Sequence, residues 1–136
     1  MLYVFHGSDI EASVKKAHTL VNSLRAKRPD AAYENMSAEN WNPVALEGHL
    51  GGQGLFSNKY IIFLDRLSEN TEAKEQIVDF IPVMKESANI FIVLEGELLI
   101  EPKKVFEKYA EKIVISEEKQ EAKSKKEMLI QKCDEI

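Results

Sequence analysis

The chain has 136 residues, a formal net charge of −5, a hydrophobic fraction of 44% and a charged fraction of 30%, which suits one domain with one core and a solvated surface. Its 18 basic residues against 23 acidic ones argue against gripping a nucleic-acid backbone, a task that calls for a basic stripe. The lone Cys133 excludes an internal disulfide or a cysteine-rich metal site and points to the reduced cytoplasm, and no apolar run approaches the ~20 residues of a membrane span.

Leu2 to Phe5 is a continuous apolar run closed by His6-Gly7, as expected of a strand buried on both faces rather than of a secretory signal. Ser8-Asp9-Ile10-Glu11 matches a capping box in which Ser8 and Glu11 satisfy free amides. Ile10, Val14, Ala17, Val21 and Leu24 then recur at helical spacing. Lys27-Arg28-Pro29 ends that helix. Ala31 to Met36 is a weaker strand, and Asn42 to Leu50 a short helix with Pro43 at its first position. Gly51-Gly52-Gln53-Gly54 breaks it.

Tyr60 to Leu64 is the clearest strand and ends at Asp65-Arg66. Thr71 to Met84 is helical by pattern, with Pro82 expected to kink or split it. Ile90 to Leu94 is a second buried strand, Pro102 to Glu111 a short helix and Ile113 to Ile115 a last strand. Ser116 to Ile136 reads as a charged helix with a thin apolar face, or as the lead into a further domain. The chain thus divides into an α/β domain over 1–116 and a charged segment over 117–136. Alternating strands and helices predict a three-layer α/β fold on a parallel five-stranded sheet.

That architecture is the core of P-loop nucleotide hydrolases, so the first loop is the place to look for a phosphate cradle. Gly7 fills its first glycine position, but Ser8, Asp9, Ile10 and Glu11 follow. Ala12-Ser13-Val14 stands where Gly-Lys-Ser/Thr belongs, and Lys15 and Lys16 come too late. Two carboxylates near the helix start repel a triphosphate, so the site reads as degenerate. Asp65 has the position of a magnesium-binding aspartate, yet Arg66 follows where a hydrolase carries its glutamate. The plainer reading of Asp65 is a turn or cap residue. His6, His18 and His49 lack metal-ligand spacing and read as surface or packing residues, and Trp41 as core or a hinge plug. The chain is therefore read as non-catalytic, with neither a metal nor a cofactor.

The informative stretch is Gly51-Gly52-Gln53-Gly54-Leu55-Phe56-Ser57-Asn58-Lys59. Leu55 and Phe56 either fold inward as core or are held outward as an apolar anchor for a partner. Here the sequence resembles the N-terminal domain of the DNA polymerase III delta subunit, the clamp-opening subunit of the bacterial clamp loader. The resemblance spans roughly residues 1 to 116. It rests on Leu2-Tyr-Val-Phe-His-Gly-Ser-Asp, the Trp41 segment, Gly54-Leu-Phe-Ser-Asn-Lys and the strands Tyr60–Leu64 and Ile90–Leu94.

The resemblance implies an AAA+-type core that has lost nucleotide binding, with sheet order five-one-four-three-two. It also implies a role in DNA replication, through a Leu-Phe pair that enters a pocket of the beta-type sliding clamp. That role falls on Leu55 and Phe56, with Gln53 and Gly54 shaping the approach; family members often carry a larger apolar residue where Gln53 stands. The family's lid and oligomerisation domains lie beyond these residues, and the other clamp-loader subunits are the remaining expected partners. Two alternatives stand beside this reading. One is a scaffold that contacts those subunits without touching the clamp, and the other a small-ligand or phospho-acceptor domain using Asp65.

Overall fold

Three apolar runs dictate the sheet. In a computed structural model, which describes residues 1–50 and 60–117, they become strands β1 (Leu2–His6), β3 (Tyr60–Asp65) and β4 (Ile90–Leu94). All five β4 residues are buried, as are Ile61 to Leu64 of β3. Strands β2 (Ala32–Ser37) and β5 (Lys112–Ile115) complete a wholly parallel sheet of order β2-β3-β4-β1-β5. This is the order that the family resemblance implies. Val4 of β1 lies between Val93 of β4 and Ile113 of β5, which fixes the central register.

Side chains alternate across the strands and so feed two separate cores. On one face Phe5, Ile61, Phe63, Ile92 and Leu94 meet Ala17 and Val21 of α1 (Ile10–Lys27). On the other, Val4, Ile62, Leu64, Phe91 and Val93 meet three helices. These are α2 (Pro43–Leu50), α3 (Thr71–Glu86) and α4 (Ile100–Tyr109), which contribute Leu46, then Ala73, Ile77, Ile81 and Met84, then Phe106. The layers are helix, sheet and helices, as expected. No described helix is long and apolar enough to cross a membrane.

Four local expectations need correction. Helix α1 is capped by Asp9, whose carboxylate accepts from the Ala12 amide at 3.1 Å, and not by a Ser8–Glu11 box. Backbone bonds from Gly7 and Asp9 to neighbouring strand ends hold the loop so that Asp9 stands at the cap. Pro82 does not split α3, which runs on to Glu86. The missing Pro82 donor is outweighed by the burial of Ile81 and Met84, and the Ser87 amide caps the Val83 and Met84 carbonyls.

Helix α4 starts at Ile100, two residues before Pro102, because first-turn amides need no helical acceptor and proline is harmless there. Ser116 does not begin a helix. Its amide donates to the His6 carbonyl and continues the ladder of β5 with β1. Residues 118–136, where the charged helix is expected, lie outside the described residues.

Ser13 is fully buried in α1, and its hydroxyl has no hydrogen-bond partner among the described residues. A buried hydroxyl without a partner costs its desolvation. Ser13→Ala should therefore raise unfolding stability by about 1 kcal/mol in urea titrations.

Candidate functional site

In an open parallel sheet the loops at the carboxyl ends of the strands hold ligands, most often where neighbouring connections leave to opposite faces. Here β1 leads to α1 on one face, and adjacent β4 leads to α4 on the other. The site therefore lies between Gly7 and Gly96, and it is closed by the protein's own backbone. The Gly7 amide donates to the Gly96 carbonyl at 3.0 Å, and the Asp9 amide to the Ser116 carbonyl at 3.0 Å. The Ala12 amide is taken by Asp9, and the Lys16 ammonium donates to the Ser116 hydroxyl at 3.1 Å. The Gly7, Asp9 and Ala12 amides and the Lys16 ammonium are thus bonded within the protein. Beside Gly7 and Ser8 a cleft of about 280 Å³ is flanked by Glu97 and Glu117 against Lys103, a poor setting for a polyphosphate.

Asp65 and Arg66 sit at the end of β3, with β4 between them and the Gly7 loop. They line a different hollow with Ser37, Glu39 and Glu69. Among the described residues, Gly7 and Ser8 thus line one cleft and Asp65 and Arg66 another. Arg66 adopts a left-handed conformation (φ 50°) and donates its amide to the Leu94 carbonyl at 2.7 Å. Its guanidinium grips Asp65 through Nε–Oδ1 at 2.7 Å. That bond raises the guanidinium pKa above its usual value. Asp65 is the last residue of β3, and its carboxylate is held by its neighbour Arg66.

His6 is buried, and burial first, then Lys103, pushes its pKa below the usual imidazole value. The His18 ring packs on Phe63 at 5.1 Å between centroids. Both are packing residues, and the His49 side chain lies outside the described residues. No group of three or more His, Cys, Asp or Glu among the described residues is placed to hold a metal ion.

Gln53, Gly54, Leu55 and Phe56 also lie outside the described residues, but both flanks of their segment are anchored. Before it, Leu46 of α2 is buried, and Trp41 donates its indole N–H to Gln76 of α3 at 2.8 Å while meeting Phe80 edge-on. After it, the Tyr60 amide donates to the buried Asn89 side chain at 3.0 Å.

Glu95, which the sequence reading passes over, is the most perturbed group at this edge. It follows β4 directly, is only 4% exposed and takes the Ser68 hydroxyl at 2.5 Å and the Ser68 amide at 3.3 Å. Burial pushes its carboxyl up to about 6, against the pull of the Ser68 bonds. The signal was an acid immediately after five apolar residues, the same pattern that singles out Asp65.

No protein-family model matches the chain, and no curated protein matches it in sequence.

Proposed function

We propose that this chain is a non-catalytic, delta-like clamp-loader domain that binds the beta-type sliding clamp through Leu55 and Phe56. The core is read as a P-loop, AAA+-like fold whose nucleotide site has been converted to structure. The observation that carries the proposal is the closed first loop on a β5-β1-β4-β3-β2 sheet. The amides of Gly7, Asp9 and Ala12 are bonded within the protein. A scaffold of this kind suits protein contact, and in the chain the Leu-Phe segment follows the anchored α2 and precedes β3. An apolar wedge favours one clamp conformation only through differential affinity for it.

Calorimetric titration with a bacterial sliding clamp tests the reading. Each apolar anchor buried in a pocket contributes about 1.5–3 kcal/mol before ordering costs. Leu55→Ala with Phe56→Ala should therefore weaken binding at least about tenfold while the circular dichroism spectrum stays native. Equal binding by the folded variant, or no binding by the wild type, overturns the proposal.

A further inference from the structure

Buried charges in proteins are normally paired with an opposite charge or a metal. Glu95 is buried, and the bonds its carboxylate accepts come from Ser68. Among the described residues no lysine or arginine forms an ion pair with it. Beside it opens a cavity of about 200 Å³ between the 3₁₀ turn Leu67–Glu69, α3 and the start of α4. Ile77, Leu98, Pro102 and Phe106 form its apolar wall. At roughly 30 Å³ per water-sized group, that space holds about six heavy atoms.

We infer that this cavity binds a small aliphatic ammonium, its head on the Glu95 carboxylate and its stem along the wall of Ile77, Leu98 and Phe106. The site stands at the carboxyl end of a central strand, where open α/β sheets take ligands. A buried acid beneath an apolar slot matches a cation with a short hydrocarbon stem. An anion is disfavoured, because Glu97 and Lys74 also line the cavity and leave it net acidic with Glu95. A metal ion would need several oxygen ligands, and the described residues offer no such group of His, Cys, Asp or Glu.

The charged groups around Glu95 act together. Glu69 of the 3₁₀ turn and Asp65 of β3 add to burial in favouring its protonated form. Lys74 of α3 and Glu97 of the β4–α4 connection line the same cavity with opposite charges. A bound ammonium favours the ionised carboxyl, so its affinity must fall as the pH drops through the Glu95 titration. This inference is independent of the clamp contact, since none of its residues lies in the Gln53–Phe56 segment.

The test is an amide-resolved NMR titration of the whole chain with pentylammonium chloride. N-acetyl-lysine methylamide forms a second arm, because a free amine and a lysine side chain present the same head and stem. Saturable shifts should appear at Ser68, Lys74 and Leu98. Affinity should drop at least about tenfold in Glu95→Gln, the size of a lost charge-assisted hydrogen bond. It should also drop between about pH 8 and pH 5 as Glu95 takes up its proton. Tighter binding of pentylammonium assigns the site to a free amine, and tighter binding of the lysine derivative to a partner's side chain. No saturable shift in either arm, equal affinity in Glu95→Gln, or equally tight binding of neutral pentanol overturns the inference.

Discussion

Gly7→Val should destabilise the protein by at least about 3 kcal/mol, visible as a large fall in the urea midpoint. Two independent costs fall on this position. Its backbone sits at φ +133°, a conformation that side-chain-bearing residues rarely adopt. A Cβ placed there would also lie 2.0 Å from the Ser116 carbonyl oxygen and 2.7 Å from its carbon. These are backbone atoms of the chain that closes the loop, and they cannot swing aside as a flexible side chain would. Relief would require breaking the Gly7–Gly96 and Asp9–Ser116 bonds together.

Gly96 provides the internal control, because a Cβ there meets nothing within 4 Å. Gly96→Ala should stay within about 0.5 kcal/mol of wild type. A mild Gly7→Val with an unchanged midpoint would show that the first loop is not rigidly closed by these bonds. The proposed conversion of a nucleotide site into structure would then lose its main support.

The contrast between Gly7 and Asp9 shows what a sequence carries and what it does not. Central parallel strands must be apolar on both faces, so Leu2–Phe5, Tyr60–Leu64 and Ile90–Leu94 announce themselves as unbroken runs. Edge strand β2 is only half-buried over Tyr33 and Glu34, so its pattern is faint. The cap falls on Asp9 and not on Ser8, with the Asp9 amide held by Ser116, more than a hundred positions away. Pro82 is a similar case. Local chemistry predicts a kink or a split, and with its neighbours Ile81 and Met84 buried the helix is not split. For the candidate site, the acids Asp65 and Glu95 follow apolar runs in the same way. Which of them is buried depends on where the turn carrying Ser68 settles, and no local pattern encodes that.

Replacing Glu95 by glutamine should stabilise the protein at neutral and alkaline pH and do nothing at acid pH. The folded-state pKa of Glu95 is raised from 4.5 to about 6, chiefly by burial, with Glu69 and Asp65 adding to it. A carboxyl whose pKa rises on folding favours the folded state while it is protonated. Its contribution is therefore full below 4.5 and is lost as the pH climbs through about 6. A rise of that size is worth roughly 2 kcal/mol once the group is ionised.

Glutamine resembles the protonated acid, and its one carbonyl oxygen can still accept from the Ser68 hydroxyl. The variant should thus gain about 1–2 kcal/mol near pH 8, and the gain should vanish near pH 4. His6 works in the opposite direction. Its lowered pKa gives stability that is present above 6.5 and is lost as the pH falls. That contribution cancels in the comparison, because wild type and variant share His6 and neither residue figures among the causes of the other's shift. Urea unfolding of both proteins across this range decides the matter. A difference that is constant with pH, or a variant weaker than wild type near pH 8, would mean that Glu95 is not held as a buried acid.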